Sequence, residues 1–508
     1  MKRGHVQVCA GVAAFILALG GCSDGKKNDD PKVKSGKQPT SSGPGKPPST
    51  GRTAPMALKI GAAHMELIAL NRTSPQAVTG RFRVVNEGKS PLDLKTALGY
   101  AGASGIGTPN PLPATGIGLI DGRNNKVYMP LETGYNTCLC SDTYRRPIPV
   151  GGDLDIYAAF PAPPNDVKNV TVVMPSAVPF QDVPLGNGPV QPVSGQLDPA
   201  KVKLKPPRIL DLTSIAEGDE QSVDEDAKDR EVRLSSDVLF NLNKADLTPN
   251  AERLLQQVGK QIDASTGAEV KVDGHADNSG NDAINQPLSE RRAQTVADRL
   301  KGLVARQGVT YKPAGHGSKQ PVAPNSDEGG RRKNRRVTIT FARPVPPPVP
   351  SSGNPYQGKE GVLGSAGFTS PAAKDLKVEV NSLHRDSAGL TTLVWTMRNT
   401  GTAKVDFRTK FEKSYVLHGG QPPRRGPSMG GVMLYDPTSK MRFEPLFAAS
   451  QACMCSSLSG DETKDSIGPG ESVIYWGVFK VAPEAQAVEV QYPWDKAKDA
   501  VVSGLSIK

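Results

Sequence analysis

The chain of 508 residues carries 62 Lys and Arg against 51 Asp and Glu, a formal net charge of +11, with 37% hydrophobic and 5% aromatic residues. That length implies about three or four domains of ordinary size, while the low apolar content, with 53 Gly and 45 Pro, excludes one continuous core and requires coil between folded parts. So basic a balance would suit nucleic acid in a cytoplasmic protein, and the first residues exclude that setting.

They run Met1-Lys2-Arg3, then an uncharged, mostly apolar stretch from Val6 to Leu19. A basic start, a short apolar core and small residues at its end make an export signal, too short for a lasting membrane span. Leu19-Gly20-Gly21-Cys22 resembles a lipobox, in which Cys22 would be diacylated. Two acyl chains, at roughly 0.8 kcal/mol per buried methylene, hold a protein stably to a bilayer. The expected counterparts are anionic wall polymers and lipid head groups, with no nucleic acid. Residues 23–55 mix Lys, Asp, Ser, Pro and Gly and read as a disordered tether. About 30 such residues reach roughly 30 Å on average and about 100 Å when taut.

Residues 56–184 and 371–508 repeat one another. Asp121, Pro130, Leu131, Cys138, Cys140 and Ser141 match Asp436, Pro445, Leu446, Cys453, Cys455 and Ser456 at a constant offset without a gap. Alternating runs such as Phe82-Arg83-Val84-Val85 and Leu393-Val394-Trp395-Thr396-Met397, broken by Asn-x-Gly and Asp-Pro turns, predict an all-β, immunoglobulin-like sandwich for each copy. Residues 185–229 and the Pro-rich 343–370 read as linkers. Of six Cys, Cys9 leaves with the leader and Cys22 takes lipid. In an exported protein the other four, Cys138, Cys140, Cys453 and Cys455, are disulfide candidates with three connectivities open. Closure within each Cys-x-Cys makes a small ring able to exchange with thiols, and pairing across copies would fold the chain back on itself. Cys-x-Cys is tighter than usual zinc spacing, and no metal, cofactor or catalytic thiol is expected.

Residues 230–342 alternate strands and helices. Asp237-Val238-Leu239-Phe240 predicts a strand, and Thr248-Pro249 opens a helix through Leu254, Leu255, Val258 and Ile262. Val270, Val272 and Gly274 alternate with Lys271 and Asp273 in a second strand, and a helical apolar period takes over near Pro287. Val309-Thr310-Tyr311 and Arg336 to Phe341 supply further strands, which predicts an α/β sandwich with helices on one side of a mixed sheet. On a wheel at about 100° per residue, Leu288, Ala293, Val296 and Leu300 share an arc that includes Arg292, roughly 40° from Leu288, while Arg291 falls on the wet face. A guanidinium on an apolar stripe needs an anion, because an unpaired buried charge costs several kcal/mol. Two anions are open: Asp277 in a direct ion pair, a structural staple, or a ligand carboxylate, with Asp277 standing across a pocket to take an ammonium. Asn285, just before Pro287, reads as a helix cap that shapes the loop 278–286. His275 and His316 read as structural residues at the ends of adjacent strands, and the basic run Arg331 to Arg336 mainly as a solvated face.

Gly274-His275-Ala276-Asp277, Asn285-x-x-Leu288-Ser289-x-x-Arg292-Ala293 and Gly330-Arg331-x-x-Asn334-Arg335-Arg336-Val337, in this order, resemble the OmpA-like peptidoglycan-binding domain. The resemblance covers residues 230–342 and implies a βαβαββ central domain. In that family an Asp and an Arg at these positions hold the free amino-acid end of diaminopimelate in the wall peptide, which implies Asp277 and Arg292, with Arg335 near the ligand carboxylate and Asn285 shaping the site. The family usually has Thr where Ala276 stands. The implied protein is no enzyme: it is lipid-anchored at the outer membrane or on the outer face of the cytoplasmic membrane, and links membrane to peptidoglycan. The sandwiches then serve as spacers or docks for envelope proteins. The alternative is an envelope scaffold or thiol/disulfide redox protein whose Cys-x-Cys sandwiches carry the activity.

Overall fold

The computed structural model describes residues 50–56, 63–94, 97–99, 113–134, 137–344, 356–358, 361–407, 410–411, 428–448, 453–456, 466–495 and 498–508; the leader, Cys22 and nearly all of the tether lie outside these. Among the described residues no helix is long and apolar enough to cross a membrane.

In the first module, the strands Arg52–Pro55, Ala63–Ser74, Ala77–Asn86 and Asp153–Pro161 form one antiparallel sheet in that order. Ala177–Pro184, Asn169–Met174, Gly118–Asp121 and Lys126–Tyr128 form a second. Alternation builds the core: Met65 and Leu67 turn inward while His64 and Glu66 do not. Met65, Leu67, Phe82, Val84, Ile156 and Phe160 of the first sheet share one apolar cluster with Leu119, Val127, Val172 and Phe180 of the second.

Residues 364–508 follow the same strand order. Gly364–Gly367, Leu376–Arg385, Thr391–Asn399 and Ser472–Phe479 make one sheet; Ala500–Ser506, Ala487–Tyr492, Met433–Asp436 and Met441–Phe443 make the other. Trp395 sits at the centre, its ring 4.8 Å from that of Tyr475 and 4.9 Å from that of Tyr492. The same hydrogen bonds recur in both modules. Asn86 Nδ2 donates to the carbonyls of Ser90 (2.9 Å) and Ile148 (3.0 Å), as Asn399 Nδ2 does to those of Ala403 (2.7 Å) and Ile467 (2.9 Å). Ser141 Oγ accepts from the Tyr157 amide, and Ser456 Oγ from the Trp476 amide, at 2.9 Å each. Cys138–Cys140 and Cys453–Cys455 are closed as disulfides, each pair within its own module.

The sequence boundaries shift in two places. Both modules start one strand before the expected 56 and 371, because Arg52–Pro55 and Gly364–Gly367, short and poor in apolar residues, add to open sheet edges. More consequentially, residues 185–229 are not simply a linker: they contain the strands Ile209–Glu217 and Gln221–Glu225. Ile209–Asp211 pairs with Lys126–Tyr128 of the first module, and Leu212–Thr213 with Phe447–Ala448 of the second. Ala216–Glu217 pairs with Arg442–Phe443, and Ser214–Glu217 with Ser222–Glu225. Each partner lies far along the chain or across a turn, so the run Ile209-Leu210-Asp211-Leu212 gives no local sign of what it pairs with.

Two further contacts join these parts. Leu390, Val394, Leu446, Met454, Trp476 and Val478 of the second module belong to the apolar cluster of the first, whereas Leu131 and Leu139, the counterparts of Leu446 and Met454, are covered by Val202 and Leu204. Glu225 accepts from Arg230 Nε at 2.6 Å, Lys480 Nζ at 2.5 Å and Asn125 Nδ2 at 3.0 Å, so one buried carboxylate ties residues from all three folded parts.

The central sheet runs Gln221–Glu225, Asp229–Ser235, Arg336–Ala342, Glu269–His275, Thr310–Gly315, antiparallel except for the last pair. The helices Pro249–Asp263 and Asp282–Leu303 pack Leu254, Leu255, Val258, Ile262, Val296 and Leu300 against Val232, Val270, Val272, Ile339 and Phe341. Two elements differ from expectation. The first strand is Asp229–Ser235, where Val232 and Leu234 turn inward, and Ser236–Leu239 is a single helical turn. The motif helix begins at Asp282 rather than near Pro287, because Asn281 caps it by accepting from the Ile284 amide at 3.1 Å. Pro287 therefore lies inside the helix, where its missing N–H leaves one rung unmade.

Candidate ligand-binding site

The motif strand Glu269–His275 and the motif helix approach closely at Gly274, where a Cβ would collide with the Ser289 carbonyl. Gly315, on the neighbouring strand, lies equally tight against the Glu290 backbone. These two contacts seat the helix on the carboxyl ends of two parallel strands. Ser289 Oγ accepts from the Gly317 amide at 3.0 Å and fixes the adjoining turn.

Asn285, expected as the helix cap, lies one turn inside the helix and does other work. It is buried, and its Nδ2 donates to the carbonyls of Asp277 (3.3 Å) and Ser279 (2.9 Å), so the loop after the motif strand is held from within. Asn334 does the same for the facing loop: its Oδ1 accepts from the amides of Val322 (2.8 Å) and Ala323 (3.1 Å), and its Nδ2 donates to Ala323 O and Asn325 Oδ1.

Asp277 and Arg292 are both buried, as the wheel predicts for Arg292, but they do not pair with each other. Asp277 Oδ2 accepts from Arg335 Nη1 at 2.7 Å, and its Oδ1 from the Ser279 amide at 2.7 Å. Burial works against ionisation, yet Arg335 and Ser279 together hold this carboxyl below the usual carboxylate range. Arg292 donates from Nε to the Lys244 carbonyl at 2.9 Å and lies 5.0 Å over the Phe240 ring. Among the described residues it has no ion pair. Burial lowers its pKa against the attraction of Asp237, with Arg335 repelling it further, and an arginine keeps its charge regardless.

Arg335, expected near a ligand carboxylate, is already engaged by protein carboxylates. It donates to Asp237 through Nε (2.9 Å) and Nη2 (2.7 Å), to Asp277, and to Glu328 (2.7 Å). The bond to Asp237, then those to Asp277 and Glu328, raises its pKa above the ordinary arginine value. In the rest of the basic run Arg332 and Lys333 are exposed, Lys333 lying 3.7 Å from Glu217, while half-buried Arg331 donates to Glu328 at 2.9 Å and buried Arg336 donates to the carbonyls of Asn334 and Gln320. Asp237, Phe240, Lys244, Ser279 and Glu328 are site residues that sequence reasoning missed. Only the Ser279 contact was within reach, since an Asp two residues before a free amide makes a common turn.

His275 and His316 stack with ring centroids 5.0 Å apart, and His316 Nε2 lies 2.8 Å from Asp273 Oδ1. Burial first, then Arg336 and His316, lowers the pKa of His275 to about 3. No group of three or more His, Cys, Asp or Glu able to hold a metal occurs among the described residues.

The OmpA family model matches residues 239–335, a span holding every residue of this site except Asp237. The YfiB lipoprotein of Escherichia coli is 37% identical over 123 residues, 24% of this chain and 75% of that protein. The outer-membrane lipoprotein YfiB of Pseudomonas aeruginosa is 36% identical over 143 residues, 28% of this chain and 83% of the relative. The peptidoglycan-binding protein ArfA of Mycobacterium tuberculosis is 40% identical over 104 residues, 20% of this chain and 31% of that protein.

Proposed function

The chain belongs to the OmpA family, and on that premise we propose that Asp277 and Arg292 bind the free amino-acid end of diaminopimelate in peptidoglycan without forming a covalent bond. One observation carries the reading: Arg292 is a buried guanidinium that no carboxylate among the described residues pairs with, close enough to Asp237 and to Arg335, the partner of Asp277, to feel their charges. A ligand carboxylate would supply the missing anion, and the ligand ammonium would share the Asp277 carboxylate with Arg335. The Ser279 amide holds that carboxylate, Asn285 holds the Asp277 backbone carbonyl behind it, and Arg335, anchored by Asp237 and Glu328, acts on Asp277 rather than on the ligand carboxylate.

Charged hydrogen bonds contribute about 1.5–3 kcal/mol each, so a few of them, less ordering costs, give millimolar to micromolar affinity. Such binding becomes useful when the protein is held near a wall that repeats the same peptide, because tethering supplies millimolar effective concentration. Diacylation at Cys22 would provide that hold, with the segment from residue 23 up to the strand Arg52–Pro55 as the reach between membrane and wall. The relatives named as a lipoprotein and as an outer-membrane lipoprotein support a place in the cell envelope. The matched hydrogen bonds of residues 52–184 and 364–508 support reading them as one immunoglobulin-like module used twice, as spacer or dock.

The test is retention on purified peptidoglycan. The wild-type chain is retained, and Asp277→Ala and Arg292→Ala each pass into the unbound fraction. Wild-type retention of both variants removes the mechanism.

A further inference from the structure

The two modules share one frame at the sheet end that holds Asn86 and Asn399. Ile148 bridges Leu92 as Ile467 bridges Val405, and the amides of Gly151 and Gly470 donate at 3.0 Å to the carbonyls of Asn86 and Asn399. The chain leading into this frame differs. Residues 457–465 of the second module carry Asp461, Glu462 and Asp465 against Lys464, whereas 142–147 of the first read Asp-Thr-Tyr-Arg-Arg-Pro. The frame therefore does not dictate what the loop is made of. In the first module the loop is pinned: Ile148 is buried between Pro147 and Pro149, and Asn86 Nδ2 donates to the Pro149 carbonyl at 3.2 Å. Its other side chains face outward, Tyr144 at 40% and Val150 at 55% exposure, with Arg145 and Arg146 exposed and neither in an ion pair among the described residues. The Arg145 guanidinium lies 5.0 Å from the Tyr144 ring centroid. Asp142, the acid of this span, accepts from the Tyr144 amide at 2.9 Å, and the adjoining turn adds Lys89 and Glu87, whose charges offset. Arg145 also sits at φ 54°, a left-handed conformation that costs a long side chain free energy and a glycine little. An arginine kept there implies that its side chain is used.

We propose that the loop 144–150 is a membrane-contact surface, on which Arg145 and Arg146 meet the phosphate groups of anionic lipids while Tyr144 and Val150 enter the interfacial layer. A guanidinium fork matches a phosphate, and a tyrosine settles at head-group depth, its ring among apolar atoms and its hydroxyl in water. A wall polymer offers anions to the arginines but no apolar layer to Tyr144 and Val150, so a lipid surface fits all four. The loop also stands at a suitable place. Ala63 pairs with Asn86 and Val85 with Asp153 at this end of the sheet, and Arg52, where the chain enters, pairs with Leu67, about 13 Å along the strand from Ala63. A chain as long as that from Cys22 to residue 50 reaches roughly 30 Å on average, so an anchored protein brings the loop to the bilayer without being drawn taut. The proposal takes its cellular setting from the lipid anchor proposed at Cys22; the contact itself needs no anchor.

The test uses residues 22–508 carrying Cys22→Ser, which keeps every described residue and leaves no acyl group to supply binding. The chain is sedimented with vesicles of phosphatidylcholine and phosphatidylglycerol in equal parts, or of phosphatidylcholine alone, and partitions onto the mixed vesicles only. Arg145→Gly and Arg146→Ser each weaken that partition about fivefold, and Tyr144→Ser about fourfold, the scale of one buried methylene. Glycine suits φ 54°, so Arg145→Gly keeps the melting temperature. Unchanged partition of all three variants overturns the proposal, and a melting temperature that falls together with partition does so by making the loop structural. Equal weakening by Lys301→Ser, which removes the same charge from an exposed position on the motif helix, also overturns it, because the attraction would then belong to net charge alone. Variants that keep the vesicles and lose retention on purified peptidoglycan overturn it in favour of the wall as occupant. If the wild-type protein recovered from cells carries no acyl group, the anchor reading falls while the vesicle result stands.

Discussion

Glu225 and Arg292 are both charged and both buried, at 2% and 8% exposure, yet their surroundings differ. Glu225 meets two cations and an amide, and although burial alone would raise its pKa, Lys480 and Arg230 hold it low. Arg292 meets a carbonyl and an aromatic face. His275 is a third case: buried, with no partner on Nδ1, it escapes the cost of a naked charge by giving up its proton. An arginine has no such escape. Arg336 and Arg343, also buried and without a carboxylate partner among the described residues, each donate to two carbonyls, whereas Arg292 donates to one and so keeps more of its guanidinium for an outside partner.

The largest way to break this comparison is Glu225→Ala, which strands Lys480 and Arg230 and should lower unfolding stability by about 3–5 kcal/mol in denaturant titration. A loss below about 1 kcal/mol would show that the junction is not closed through this carboxylate. Next, diaminopimelate at a hundredfold excess over its Kd should stabilise the chain by about 2.7 kcal/mol, and the Arg292→Met variant not at all. A smaller effect comes from pH. Unfolded His275 takes up a proton below about 6.5, while the folded residue resists until about 3. The unfolded state therefore binds more protons in this window, and stability is complete above it and falls as pH drops, by up to ~1.4 kcal/mol per unit. His275→Leu should flatten that slope in urea unfolding followed across the window; an unaltered slope would mean that the imidazole is not held neutral. The smallest effect should be the stability change of Arg292→Met, within about 1 kcal/mol either way, since an apolar side chain replaces an unpaired buried charge. Destabilisation approaching that of Glu225→Ala would make Arg292 structural.

Much of this was legible in order along the chain. The wheel placed Arg292 on the buried stripe and Arg291 outside it, and the alternation of Val270 and Val272 marked the motif strand. Partners distant in sequence were not legible. Arg335 is brought to Asp277 and Asp237 only when Arg336–Ala342 pairs with both Asp229–Ser235 and Glu269–His275. Asn285 was misread because Pro287 suggested a helix start, whereas the cap at Asn281 nucleates the helix earlier and carries the proline along. The strand Ile209–Glu217 carries Ile209, Leu210, Leu212 and Ile215, but its pairing with edges from both modules and the central sheet joins residues far apart in the chain.

That strand has a mechanical consequence. Tension applied at residue 50 and resisted at Asp277 meets no spare coil in 209–217; it loads backbone bonds to four neighbouring strands at once. A loosened junction would add slack at 209–217, where the pairing now leaves none.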